Sequence, residues 1–496
     1  MARQPNIVLI MTDQQRADLS RREGFPLDTT PFMDSLAEQG TWFNHAYTSM
    51  PACLPARVSM LTGRYPSATH ARTNHNGSDA FYDSDLIDVL KAQGYVTALC
   101  GKNHSHLAPE RMDYWFEVGH TGGFGDDRTD DEKAFDAYLD SLNHRADMQP
   151  TAFPLEMQLP YRSVSAAQRW LDTVDADQPF FLWLSFPEPH NPYQVPEPYF
   201  SMFPPETLPP TLSDKRALDN KSFKYHWARH IGDVAFEDYD EQLPRARSNY
   251  MGMLRLIDDQ IQRFVDDLDA RNLRENTILI VLADHGDFVG EYGLVRKGPE
   301  LPEVLTRIPM LWTGPGIVQS ETPHTAFVSI ADVMPTLCEV VGAPLPPGVQ
   351  GRSLWPMLRG DDYPAEEFSS AYAEHGFGGL HYTADDTYDP TLDGLVPGQA
   401  FDELNGWSQS GTLRMLRRGD WKLLFDMQGH GQLYNLKSDP VELCNLYDDP
   451  AAASIRASML ADLLAWTLRM QDPLPYPRRR YHYKRDPRNY WSPYRE

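Results

Sequence analysis

The chain is poor in three things. It has four cysteines in 496 residues (Cys53, Cys100, Cys338 and Cys444), too sparse for a disulfide framework, so a reducing, cytoplasmic compartment is the expectation. It has no run of about 18 apolar residues, which excludes a membrane-spanning helix. It is also short of positive charge: 45 Lys and Arg face 70 Asp and Glu, a formal charge of −25. Such a surface repels phosphate backbones, so neither nucleic acid nor a membrane is an expected partner. The apolar run at residues 7–11 is shorter than a secretory core of about 7–15 residues and reads as a buried strand. Export would need a leader removed from the chain as given.

What is present is an ordinary globular mixture, 41% hydrophobic and 23% charged, of a length that suits two or three structural units. Strands and helices alternate over residues 1–365. The pattern predicts strands at 6–11, 95–99, 180–186, 277–283 and 308–312. It predicts helices at 85–93, 166–174, 245–270 and 333–341, and one that Thr30-Pro31 opens and Gly40 closes. The 245–270 helix carries Leu254, Ile257, Ile261, Phe264, Val265 and Leu268 on one stripe. Repeated strand–helix–strand units imply an α/β fold, a mostly parallel central sheet flanked by helices.

The texture changes after Gly360. Short strands at 368–373, 412–417 and 421–425, the last two joined across Gly419-Asp420, precede a helix at 452–470. This predicts a smaller C-terminal α+β unit, 366–475, built on an antiparallel sheet. Residues 384–411 read as a long irregular loop of the kind that often contributes to a site. The tail 476–496 holds seven basic and two acidic residues, spaced by five tyrosines and one tryptophan. It either packs on its own acidic body or is an arm that reaches a second copy to make a homo-oligomer.

Ligands in such sheets collect at the carboxyl ends of the strands. Four predicted strands end in chemistry there: Asp13-Gln14, Lys102-Asn103-His104, His190-Asn191, and Asp284-His285-Gly286-Asp287. Two acids, an amide and an imidazole converging from separate strands can hold one divalent cation. Singly, such residues commonly just cap turns. A stronger signal is Cys53-Leu54-Pro55-Ala56-Arg57, followed by Thr62-Gly63-Arg64. Fewer than about 0.03 matches to Cys-x-Pro-x-Arg are expected by chance at this composition.

On these motifs the chain resembles the type I sulfatases of the alkaline phosphatase superfamily, over nearly its whole length. The resemblance implies an alkaline phosphatase-like catalytic domain and a hydrolase of sulfuric esters, matured by a formylglycine-generating enzyme that converts Cys53 to formylglycine. It implies a divalent metal, Ca²⁺ first and Mn²⁺ or Mg²⁺ next, on Asp13, Gln14, Asp284, His285 and the modified Cys53. Arg57 would bridge the modified residue and the metal carboxylates, and Lys102 and Lys297 would neutralise sulfate oxygens. His104 would accept the diol proton and His190 would protonate the leaving oxygen. Lys297 also has a plain reading as a solvated loop lysine, and His190 as a histidine fixed between prolines. Arg72, His75, His106 and His375 are candidate substrate contacts, and the expected substrate is a sulfated small molecule or saccharide.

The chain departs from the family pattern in two places. The metal pairs read Asp-Gln and Asp-His where many members carry Asp-Asp and Asp-Asn, and Asn103 stands where relatives often have Trp. The Asp-Gln and Asp-His pairs resemble those of the phosphonate monoester and phosphodiester hydrolases of the same superfamily, which is the alternative activity. A non-catalytic binder that kept the fold is a further reading, against which the intact Cys53, both metal pairs and Lys102 weigh.

Overall fold

Apolar strands that are buried on both faces organise the molecule. The computed structural model describes residues 4–125, 128–175, 177–236, 238–385, 409–471 and 486–490. In chain order the elements used below are β1 (Asn6–Thr12), α1 (Pro31–Glu38), β2 (Thr41–Tyr47), α2 (Cys53–Thr62), β3 (Val96–Gly101), β4 (Tyr114–Gly119) and β5 (Gly122–Gly123). They continue with β6 (Phe180–Phe186), β7 (Thr277–Ala283), β8 (Met310–Thr313) and β9 (His324–Ser329). The nine strands form one sheet in the order β5-β4-β3-β6-β1-β7-β8-β2-β9. Pairing is parallel from β4 through β7 and between β2 and β9, and antiparallel where β8 meets β7 and β2 and where β5 meets β4.

Every residue of β1, β6 and β7 is buried. Successive side chains leave a strand on opposite faces, and the core divides accordingly. Ile7, Leu9, Met11, Trp183, Ile280 and Leu282 pack with α2 and the helices Leu86–Ala92 and Val333–Val340. Val8, Ile10, Leu184 and Val281 pack with α1 and the helices Leu159–Leu171 and Tyr239–Ala270. The register sets Thr12 beside Phe186 and Ala283, and Gly101 beside Ser185. The carboxyl ends of β1, β3, β6 and β7 therefore share one edge.

The smaller sheet is antiparallel: β10 (Ser370–Gly378), β11 (Gly411–Arg418), β12 (Trp421–Asp426) and β13 (Gly431–Asn435), in that order. One face takes the helix Ala453–Gln471 together with Tyr65 and Ala331 of the larger part. The other takes Tyr47, Leu301 and Phe327. Much of the irregular loop expected at 384–411 lies outside the described residues, as does most of the tail. The described tail residues, Asp486–Tyr490, pack on the chain's own body: Arg488 Nε reaches Glu339 Oε1 at 2.8 Å and Tyr490 Oη donates to the Ser353 carbonyl at 2.7 Å.

The structure moves several expected boundaries. The helix expected at 166–174 starts at Leu159, and the one expected at 245–270 starts at Tyr239, with Pro244 tolerated near its start. The strand expected at 308–312 is Met310–Thr313 and runs antiparallel.

Candidate active site

Cys53 is the first residue of α2, whose ten residues are all buried and which Gly63 ends in the left-handed region at φ 63°. At a helix N-terminus the backbone N–H groups have no partners within the helix, which favours negative charge there. Around the thiol stand the strand ends. Sγ lies 3.2 Å from His285 Nε2 and 3.5 Å from Asp13 Oδ1. Ligand atoms of Asp13, Cys53, Asp284 and His285 all lie within 4.8 Å of one another, and all four residues are buried.

Arg57, one turn further along α2, ties this group together. Nε donates to Asp284 Oδ2 at 2.9 Å and Nη1 to Ser185 Oγ at 2.8 Å. Its Nη2 has no hydrogen-bond partner among the described residues and lies 3.5 Å from Asp13 Oδ2. Lys102 Nζ donates to that same Asp13 oxygen. Lys102 can enter only because Gly101 precedes it: at φ 118° a Cβ would fall 1.8 Å from the Ser185 carbonyl oxygen, which no L side chain permits.

Lys297 Nζ donates to Gln14 Oε1 and to His190 Nε2, each at 3.0 Å. His190 Nδ1 in turn donates to the Asn191 carbonyl at 2.7 Å, which puts the ring proton on Nδ1 and leaves Nε2 as acceptor. Gln14 Nε2 donates to Asp287 Oδ2 at 2.6 Å, and Tyr193 Oη to the same oxygen at 2.8 Å.

The field of these charges acts on the acids. Burial pushes Asp13 up, but Lys102, the two histidines His190 and His120, and Arg57 together hold it well below the usual carboxylate range. Burial and Asp13 likewise oppose ionisation of Cys53, yet Lys102, Lys297 and His285 hold the thiol well below its ordinary value. The position is therefore tuned to carry negative charge.

The donor set of two carboxylates, an imidazole and the side chain at 53, with ligand atoms all within 4.8 Å of one another, fits a divalent cation. Gln14 belongs to it less directly, since its oxygen already accepts from Lys297.

Of the expected residues, the structure gathers Asp13, Gln14, Cys53, Arg57, Lys102, His190, Asp284, His285 and Lys297. His104 is adjacent: a ring nitrogen is within 4.8 Å of Cys53 Sγ, and Nε2 lies 3.1 Å from the Asn74 carbonyl. Arg72 and His75 share the loop of Asn74, whose Oδ1 accepts from the Leu54 N–H at 3.1 Å; Arg72 is half-buried and His75 exposed. His106 has Nε2 3.0 Å from Asp85 Oδ2, the residue that caps the helix Leu86–Ala92. His375 is buried behind the Lys297 loop, Nε2 3.2 Å from the Gly298 carbonyl.

Sequence reasoning gave no role to His120, which follows β4. Its Nε2 lies 2.7 Å from Lys102 Nζ, and its ring stacks on His190 with centroids 3.6 Å apart at 20°. The signal was available, because β4 is one more strand ending in a histidine at the same edge.

Comparison with known proteins adds the following. Residues 5–343 match the sulfatase family model. The chain is 29% identical over 471 residues to an arylsulfatase of Clostridium perfringens (strain 13 / Type A), covering 89% of this chain and 90% of that protein. It is 27% identical over 480 residues to a choline-sulfatase of Rhizobium meliloti (strain 1021), covering 92% and 85%. Among solved structures, the phosphonate monoester hydrolase of Agrobacterium radiobacter superposes with a TM-score of 0.75 at 23% identity, covering 95% of this chain and 97% of that one. A 2-O GAG sulfatase does so with a TM-score of 0.68 at 20% identity, covering 95% and 93%.

Proposed function

The chain belongs to the sulfatase family and is a sulfatase enzyme, and from that premise we propose that it removes sulfate from a sulfated carbohydrate with formylglycine at position 53 as nucleophile. The observation that carries this reading is the setting of Cys53: the head of α2, contact with Asp13 and His285, and the nearby charges of Lys102 and Lys297.

As hydrated formylglycine, position 53 would supply one hydroxyl to attack sulfur in line and a second whose deprotonation expels sulfate and restores the aldehyde. Asp13, Gln14, Asp284 and His285, with position 53, would hold the divalent cation, Ca²⁺ by the oxygen-rich set with Mn²⁺ or Mg²⁺ as alternatives, and its Lewis acidity would favour the ionised hydroxyl. Arg57 keeps the two carboxylates apart and oriented. Lys102 and Lys297 would neutralise the sulfate oxygens as charge moves onto them. His190, placed by its Nδ1 bond to Asn191, would act as the imidazolium, giving the added Nε2 proton to the leaving oxygen, and His104 would take the proton from the second hydroxyl.

A second reading is supported by the Asp13-Gln14 and Asp284-His285 pairs: hydrolysis of phosphonate monoesters or phosphodiesters, tetrahedral monoanions that the same lysines could hold. A panel of 4-nitrophenyl sulfate, 4-nitrophenyl phenylphosphonate and bis(4-nitrophenyl) phosphate, followed by defined sulfated saccharides, separates the two. Sulfate ester turnover above the other two is expected. Phosphonate or diester turnover far above sulfate turnover would reverse the assignment, and no saccharide desulfation would remove the carbohydrate.

A further inference from the structure

We infer that His120 is a positioning residue for both halves of this site, holding Lys102 through its Nε2 and the ring of His190 through its face. The inference rests on the formylglycine sulfatase reading above and goes beyond it, because no family motif in the sequence points to position 120.

Two lysine–imidazole pairs stand side by side. Lys297 Nζ donates to His190 Nε2 at 3.0 Å, and Lys102 Nζ lies 2.7 Å from His120 Nε2. The rings that terminate the two pairs are stacked, 3.6 Å between centroids. A ring nitrogen of His120 also lies within 4.8 Å of both Cys53 Sγ and a ring nitrogen of His104. The two lysines and three histidines therefore form one wall beside the nucleophile.

An ammonium has three N–H groups and no acceptor, and it rotates freely unless they are claimed. Lys102 gives one to Asp13 Oδ2 and one to His120 Nε2. With two directions fixed, the third is set for a sulfate oxygen, so binding loses less orientational freedom. His190 is held at one edge by Nδ1 on the Asn191 carbonyl. Its Nε2 accepts from Lys297 at the other edge; both bonds lie in the ring's own plane, and the stacked His120 face packs that plane against tilting. A tilt of His190 would take Nε2 off the line to the leaving oxygen.

The two contacts can be broken separately in matured, metal-loaded enzyme. H120A removes both, H120F keeps a stacking face without an acceptor, and H120Q keeps an acceptor at the Nε2 position without a ring. Two readouts are needed: hydrolysis of 4-nitrophenyl sulfate against an alkyl sulfate with a poor leaving group, and calorimetric affinity for inorganic sulfate. H120A should slow the alkyl ester at least about 10-fold more than the nitrophenyl ester, as expected for a misplaced general acid, and weaken sulfate binding several-fold. H120F should close the gap between esters while sulfate binding stays weak. H120Q should restore sulfate binding while the gap remains.

H120A within about twofold of the parent in both readouts would overturn the inference. So would an equal loss in all three variants across both esters, which is what a merely structural role gives. A parent enzyme that neither binds sulfate nor hydrolyses either ester would sink the underlying reading, and this inference with it; an active parent whose variants fail to split sinks the inference alone.

Discussion

His375 shows how a single buried side chain can control the molecule without touching the chemistry. Burial, with Lys224 nearby, drives it down from 6.5 to about 3, so it is neutral in the fold at neutral pH. The unfolded chain takes up its proton first. The stability this imidazole contributes is complete above pH 6.5 and is lost as pH falls toward 3, amounting to roughly 4–5 kcal/mol at full loss. The urea midpoint of the parent should therefore fall between pH 7 and pH 4, and H375Q, which keeps a donor toward the Gly298 carbonyl, should fall less steeply. Parallel slopes for the two proteins would contradict the assignment. The sequence offered His375 as a candidate substrate contact because a pocket for an anionic ester should be locally basic. Its burial depends on how β10 docks behind the Lys297 loop, which no local pattern encodes. Asp13, Lys102 and Asp284 were legible for the opposite reason: each directly follows an unmistakable apolar strand, and His190 comes in the turn just after another. His120 also follows a strand, but β4 reads Tyr-Trp-Phe-Glu-Val and lacks the continuous aliphatic run that marks a central strand.

Elements show the same division. β1, β6 and β7 stood out because strands buried on both faces are near-continuous apolar runs. β2 and β9 did not: Thr41–Tyr47 carries Asn44 and His45, and His324–Ser329 opens with two polar residues, because both lie toward the edge of the sheet. The helical character of α2 was hidden by Pro55, although proline in a first turn removes an N–H that has no intrahelical partner in any case. α1 was legible from Thr30-Pro31, yet the group that caps it came from elsewhere. Asp258, midway along the helix Tyr239–Ala270, accepts from the Phe32 and Met33 N–H groups at 2.7 and 2.8 Å. A carboxylate on two N-terminal amides satisfies orphan donors and complements the helix dipole. D258A should cost about 1–2 kcal/mol by chemical denaturation, with kcat on a nitrophenyl ester within about twofold of the parent. An unchanged midpoint would show that the cap contributes nothing.

At the scale of the whole molecule, the C-terminal sheet is a wall of the larger part. Its two faces close over Tyr65 and Ala331 on one side and over Tyr47, Leu301 and Phe327 on the other. Buried ion pairs cross the same boundary, with Glu303 taking both Arg417 and Lys422 at 3.4 and 3.3 Å. The sequence located this unit from the change in strand length after Gly360. It could not show that the unit holds the loop of Lys297 from behind, through His375 and Gly298. All of this architecture converges on one position, so the central claim is tested by varying its chemical state in an otherwise unchanged protein. Samples made with graded amounts of a maturation enzyme can be scored by mass spectrometry for the peptide that exchanges sulfur and two hydrogens for one oxygen at residue 53. The same samples are then assayed on 4-nitrophenyl sulfate with metal in excess. Activity should rise in proportion to the aldehyde fraction and extrapolate to zero where only thiol remains; a thiol-only sample that turns over as fast as the matured one would contradict it.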